Sequence, residues 1–313
     1  MTTQETEALP PQIDPLDLFP GFAPACRCHR QGQVHRTFTD LLQPVSYVDK
    51  NGCRWTRAVL EADRGADVTE AACRLADLSM RWRCAGSNVA YPLWREAVQA
   101  GATLDLRDQK RITPFIGTGF GTPATPKPDS HVCGWVAEFL WYCISAEERH
   151  REGRSLARLE GPGLHATEPG GDGLAIWRKE HGGELSFCLW EIKNSVGSAA
   201  VSATVKRAYD QLGDRATEYL AKMTAIAASL DYDPQMQQLY AGLVDLWVDD
   251  DEQSAAGIAV GTHSAKAPQQ CFSTMHQYFP GKRRDWQLEG LVVAISDFES
   301  FSEEVRANVW SVL

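Results

Sequence analysis

The chain of 313 residues is 43% hydrophobic and 23% charged, proportions that exclude a disordered, collagenous or coiled-coil chain. At this length about three quarters of the unfolded surface can be buried, so a sizeable core forms without disulfide or metal staples. Lys and Arg total 31 against 41 Asp and Glu, a net charge of −10 that argues against a free-standing, sequence-independent nucleic-acid binder held by counterion release.

Residues 1 to about 24 are rich in Pro and Gly and read as a loosely ordered tail. From 34 to 100 short segments alternate without a repeat, and two of them are orderly. Residues 45–48 and 55–61 read as strands, and 68–82 as a helix with Ala71, Leu75, Leu78 and Trp82 on one face. Residues 112–130 carry four prolines and three glycines and read as a linker or long surface loop. They separate a 1–125 accessory, partner-binding region from a 126–313 core. Beyond them Asp129-Ser130 reads as the cap of a helix over 132–149, with a wide stripe of Trp135, Val136, Phe139, Leu140, Cys143 and Ile144. Segments 170–179 and 184–193 read as two strands around the turn Glu180-His181-Gly182-Gly183, the second so apolar that both its faces should be covered. Helices over 198–222 and 233–247, strands over 257–262 and 288–296, and a last amphipathic helix bearing Phe298, Phe301, Val305 and Val309 complete a mixed α/β layered fold.

The chemistry concentrates on the second of those strands. Side chains alternate across a strand, so Glu191 and Lys193 share a face, and a carboxylate and an ammonium at the end of a buried strand are costly without work or partners. On the preceding strand Asp172 lies in Gly170-Gly171-Asp172-Gly173. Pairing the two strands as a hairpin brings Asp172, Glu191 and Lys193 together at one edge of the sheet. Two carboxylates suit Mg²⁺ with waters left over, with Mn²⁺ as its substitute. A lysine beside them can orient a water nucleophile and neutralise charge on a pentavalent phosphorane.

This arrangement resembles the PD-(D/E)XK nuclease superfamily, with Asp172 as its acidic residue and Glu191-Ile192-Lys193 as its E-x-K triplet. The proline that precedes the family's aspartate is displaced here to Pro169, three residues upstream. Many members carry a glutamate on the first core helix. Glu138, the only charged residue between 132 and 146, is the matching candidate and would assist with a second metal or as general base. The family's next helix often presents a polar residue to the site; Lys206, Arg207 and Gln211 are candidates, although no Q-x-x-x-Y pattern is present. The resemblance covers about 132–300 and implies a restriction-endonuclease-like mixed sheet core flanked by helices, with an N-terminal accessory region. Within the superfamily the G-x-D-G strand, the E-x-K strand and the small-residue helix after them look like the nuclease subunit of Hachiman-type antiviral defence systems, which work with a separate helicase. Those subunits commonly have a small residue where Ile192 stands.

Other motifs are weaker. Cys26-x-Cys28-His29 with His35, joined by Cys53, has zinc-ligand chemistry without a second properly spaced pair. His131, His150, His165 and His181 fall near the proposed site in the sequence. Basic clusters at 107–111, 149–158, 206–207 and 282–284 are candidates for a phosphate track or for surface ion pairs. The chain lacks G-x-x-x-x-G-K-[ST] and G-x-S-x-G, and the loop Gly117-Thr118-Gly119-Phe120-Gly121 has no dinucleotide-binding context. Of ten tryptophans, Trp135, Trp177 and Trp190 read as core, and Trp55, Trp82 and Trp94 as candidates for a partner interface. The nine cysteines, several in apolar context, fit a reducing compartment. The first residues lack a signal peptide, and the longest apolar run, 134–144, is too short to span a bilayer. The expectation is a cytoplasmic, Mg²⁺-dependent deoxyribonuclease that acts with a helicase or ATPase partner. The alternative is a non-catalytic binding subunit of such a complex.

Overall fold

The computed structural model describes residues 36–313 except 86, 88, 152, 164–171, 197–199, 228–232 and 269. Cys26, Cys28, His29, His35, His165 and Pro169 to Gly171 lie outside the described residues. The centre of the fold is one eight-stranded mixed sheet with strands in the order β1-β2-β10-β9-β8-β7-β6-β5. Here β1 is Val45–Val48, β2 Arg54–Leu60, β5 His150–Arg151, β6 Arg154–Glu160, β7 Gly173–Lys179, β8 Leu185–Ser195, β9 Ser254–His263 and β10 Leu288–Ile295. Strands β2, β10, β9 and β8 run parallel, and β5 to β8 form an antiparallel meander.

One face of the sheet packs against α6 (Val201–Ala227), α7 (Pro234–Val248) and the short α8 (Met275–Tyr278). The other is covered by α1 (Phe38–Leu42), α2 (Gly65–Arg83), α5 (Asp129–Glu147) and α9 (Phe298–Trp310). The first eight residues of β8 are buried, as a strand covered on both faces requires. The stripe of Phe298, Phe301, Val305 and Val309 is closed into the core, as the periodicity predicts.

Residues 36–125, the described part of the expected 1–125 region, do not sit apart from this sheet. Strand β2 pairs in parallel with β10, and Trp94, on α3 (Ala90–Ala100), donates its indole N–H to the Val309 carbonyl at 3.0 Å. Trp94 is fully buried, Trp55 is buried between Tyr47 and Phe272, and Trp82 packs against Tyr142. Trp55 and Trp94 are therefore core and do not form a partner surface, whereas Trp82 is half-buried against it. Trp135, Trp177 and Trp190 are buried as expected.

The expected loop at 112–130 is partly helical. Helix α4 (Leu106–Gly117) runs through Pro114, whose missing N–H costs a helical bond. It holds because Ile112 and Ile116, one turn apart, are both fully buried, and Asp105 caps its start by accepting from Asp108 N at 2.8 Å. A hairpin of β3 (Gly121–Thr122) and β4 (Thr125–Pro126) follows. Gly121 adopts φ +71°, and a Cβ there would lie 2.4 Å from the Thr125 carbonyl. Helix α5 then begins at Asp129, which lies in its first turn and does not cap it, because Arg306 from α9 takes the carboxylate at 3.0 Å.

Candidate active site

The turn Glu180-His181-Gly182-Gly183 closes β7 onto β8, with both glycines at positive φ. Register runs from Arg178 opposite Leu185 to Gly173 opposite Trp190, so Asp172, one residue before β7, meets Glu191. Asp172 Oδ2 accepts from the Ile192 backbone N–H at 2.6 Å and lies 3.9 Å from Lys193 Nζ. The Lys193 ammonium donates to Glu191 Oε1. Glu191 is completely buried, and its second oxygen, Oε2, has no hydrogen-bond partner. Asp172 and Lys193 keep 16% and 28% of their side chains exposed, so the cluster opens to solvent on their side.

Glu138 comes from the opposite face of the sheet. Helix α5 approaches because Gly173 carries no side chain: a Cβ there would sit 2.1 Å from the Trp141 ring. Trp141 in turn lies 5.7 Å from the Trp190 ring, and Gly257 leaves room for Trp190, since its Cβ would fall 2.3 Å away. Glu138 sits one turn before Trp141 and within the electrostatic reach of Asp172, Glu191 and Lys193.

Charge is unbalanced in this cluster. Burial, the Asp172 charge and that of Glu191 hold the Glu138 carboxyl well above the usual range, against the pull of Lys193 and Arg83. Burial and Asp172 push Glu191 up to about 8. Burial also raises Asp172, opposed by Lys193 and the Ile192 N–H. Desolvation works against the Lys193 ammonium, but Asp172 and Glu191 outweigh it and keep it charged. One ammonium thus faces three carboxyls.

Helix α6 adds Tyr219, which the sequence reading missed, beside the expected Gln211. Gln211 donates to the Tyr219 hydroxyl at 2.9 Å, and burial together with the fields of Glu191 and Asp172 raises the Tyr219 phenol. The signal was a spacing of eight residues, two helical turns, in place of the i+4 spacing sought. Nearer the helix start Lys206 and Arg207 are both exposed, and Arg207 donates to Thr204 Oγ1 at 3.1 Å. The histidines are not gathered. His150 lies 3.6 Å from Glu180, and it and His181 stand at the far end of β7, about 20 Å of strand from Asp172. His131 lies exposed two turns before Glu138.

The expected phosphate track is divided: Arg149, Lys206, Arg207, Arg283 and Arg284 are exposed, whereas other members of its clusters are taken up by internal pairs. Arg151 and Arg154 pair with the buried Glu289 at 2.5 and 3.5 Å, and Lys282 is buried against Ser254 Oγ at 2.6 Å and Asp250 at 3.1 Å. Cys53, the far member of the zinc candidate, lies buried 3.9 Å from the Met275 sulfur, with its thiol pushed up by burial.

The described residues contain no group of three or more His, Cys, Asp and Glu already assembled for a metal ion. Asp172 and Glu191 nevertheless form an all-oxygen pair with one orphaned buried oxygen. Such a donor set fits a hard divalent cation that keeps several of its waters. No helix among the described residues is long and apolar enough to cross a membrane. A scan of the chain against protein-family models gives no match, and a search of curated proteins gives none either.

Proposed function

We propose that the chain is a metal-dependent nuclease that hydrolyses DNA phosphodiester bonds on a restriction-endonuclease-like core. The observation that carries the reading is the buried Glu191 carboxylate with an orphaned oxygen, set beside the partly exposed Asp172 and Lys193 where β8 nears its end. The order of elements supports it: helix α5, the antiparallel strands β6 to β8, helix α6, then β9 parallel to β8.

Asp172 and Glu191 would hold Mg²⁺ or Mn²⁺. Bound there, the cation would supply Lewis-acid neutralisation of the scissile phosphate. The Ile192 N–H fixes the Asp172 carboxylate, so its free oxygen is presented without a search through rotamers. Lys193 positions the attacking water and offsets the charge that grows on the phosphorane oxygens. Glu138, in the same electrostatic cluster, would take a proton from the attacking water as its oxygen bonds to phosphorus, while the P–O bond to the leaving oxygen breaks and that oxygen is protonated from solvent.

The partner belongs to the same proposal. A chain of net charge −10, with Arg151, Arg154 and Lys282 committed to internal pairs, is poorly suited to gripping DNA by its overall charge. A helicase or ATPase would therefore grip the DNA and present it, in keeping with the resemblance to antiviral defence nucleases. Thermal unfolding with and without Mg²⁺ or Mn²⁺ tests the site. A cation at a hundred times its Kd adds about 2.7 kcal/mol to the native state, and Asp172→Ala should abolish that gain. Unchanged melting of the wild type on adding either metal would favour the non-catalytic binding subunit.

A further inference from the structure

The two ends of the sheet differ. One stops at β5, which is two residues long and carries Arg151, a short charged edge that resists further pairing. The other stops at β1, whose four residues are all exposed and include no charge, proline or bulge. Strand β1 pairs with β2 on one side, and among the described residues no strand pairs with its other side. Such an edge presents unpaired N–H and C=O groups to a further strand, beside the exposed side chains of Val45, Tyr47 and Val48.

A cavity opens on each face of this edge. On the face packed against α8, a cavity of about 340 Å³ is lined by Tyr47, Val48 and Asp49 from the edge and by Trp55 and Phe272 behind them. Tyr47 stacks on Trp55 with ring centroids 4.4 Å apart, and Trp55 meets Phe272 edge-on at 6.0 Å. Asp49 Oδ1 accepts from the Asn51 and Cys53 backbone N–H groups at 2.8 and 3.0 Å, which fixes the carboxylate. Its Oδ2 is buried with no hydrogen-bond partner, a cost that a cation entering the cavity would relieve. A carboxylate oxygen beside aromatic rings matches the ammonium or guanidinium of a basic side chain. On the opposite face a cavity of about 430 Å³ begins at Pro44 and Ser46 and is floored by Leu291 and Trp190. The charged residues around it already have partners. Glu147 holds the Phe38 and Thr39 N–H groups, Arg151 holds Glu148 and Glu289, His150 lies beside Glu180, and Arg149 has an interaction of its own. What this second cavity offers an incoming side chain is its apolar floor.

We propose that β1 is a docking edge that receives an extended segment of a basic partner protein as a further strand, with a Lys or Arg side chain in the Asp49 cavity. Side chains alternate across a strand, so the neighbours of that basic residue face the other cavity and should be apolar. Main-chain bonds to β1 supply affinity, and the two cavities select the side chains. The net charge of −10 favours a basic partner by long-range attraction. A second copy of this chain is a poorer occupant, because its own Val45–Val48 brings no basic residue to Asp49. The surface stands on the edge and its cavities alone and does not depend on the hydrolytic reading.

Calorimetric titration of the full chain with the capped heptapeptide Thr-Val-Thr-Leu-Lys-Val-Thr provides the test, beside the same peptide with Glu for Lys and one N-methylated throughout. The Lys peptide should bind saturably and at least about tenfold more tightly than the Glu peptide, a difference of about 1.4 kcal/mol. The N-methylated peptide, which cannot donate to the edge, should not bind. Asp49→Asn keeps an acceptor for the Asn51 and Cys53 N–H groups and should erase the preference for Lys over Glu. Val48→Lys, at an exposed position, should weaken the Lys peptide about tenfold without changing the melting temperature. Hydrogen exchange of the amides of residues 45–48 should slow on binding. Absence of saturable binding, equal affinity for the Lys and Glu peptides, or binding of the N-methylated peptide would overturn the proposal. So would self-association of the chain that Val48→Lys abolishes, since a second copy would then own the edge. Because no cleavage is measured, failure here would leave the nuclease reading untouched.

Discussion

Raising the pH should weaken this fold through its buried carboxyl cluster, and Glu191 is the member in which the effect can be worked out. Its carboxyl is pushed from the ordinary 4.5 up to about 8 by burial and by Asp172. In the unfolded chain the same group releases its proton near 4.5. Across the window between those values the native chain holds a proton that the unfolded chain has lost, so stability falls as pH rises. At 1.36 kcal/mol for each pH unit the fall amounts to about 5 kcal/mol, complete above pH 8 and absent below pH 4.5. That is a large share of the roughly 5–15 kcal/mol that holds a typical domain together. Urea unfolding of the wild type and of Glu191→Gln at intervals from pH 5 to 9 reads the contribution of Glu191 together with its coupling to Glu138, Asp172 and Lys193. Glutamine keeps the size and still accepts from Lys193, but does not titrate. The wild type should lose several kcal/mol relative to the variant between pH 5 and 8.5, and saturating Mn²⁺ should restore more stability at pH 8.5 than at pH 6. Parallel stability curves for the two proteins would refute the claim that Glu191 is held protonated by its surroundings.

Two further substitutions test the packing that builds the site. Gly173→Ala places a methyl 2.1 Å from the Trp141 ring and should cost about 1–3 kcal/mol in urea unfolding; an unchanged midpoint would mean that α5 does not press on the hairpin. Trp94→Ala empties a fully buried position and removes the bond to Val309, so it should cost about 3–5 kcal/mol, where a tryptophan kept for a partner would cost almost nothing.

The hairpin was readable because its signals are local. Glycines at 182 and 183 permit the turn, and the unbroken apolar run of β8 announces burial on both faces. Alternation along that strand then places Glu191 and Lys193 on one face and aligns Asp172 with them. Glu138 could be picked out as the one charge in an apolar helix, because an unpaired charge there demands a reason. Non-local facts were not legible. Nothing within 36–60 announces that β2 pairs with β10, more than 220 residues away. Pro114 reads as a helix breaker, and the burial of Ile112 and Ile116 that overrides it is a tertiary effect. Arg151, Arg154 and Lys282 read as phosphate contacts because their acidic partners, Glu289 and Asp250, lie far off in the chain. Tyr219 escaped notice because its hydrogen bond to Gln211 spans two turns, and a single-turn spacing was the pattern sought.

The central claim is best tested by incubating the purified chain with circular, linear and single-stranded DNA in Mg²⁺, beside Lys193→Ala and Glu191→Ala. The same assay should be repeated with the partner encoded next to it. The account predicts cleavage by the wild type, alone or with that partner, and none by either variant, although both still unfold cooperatively. Cleavage by both variants at the wild-type rate, or none by the wild type under any of these conditions, would contradict it.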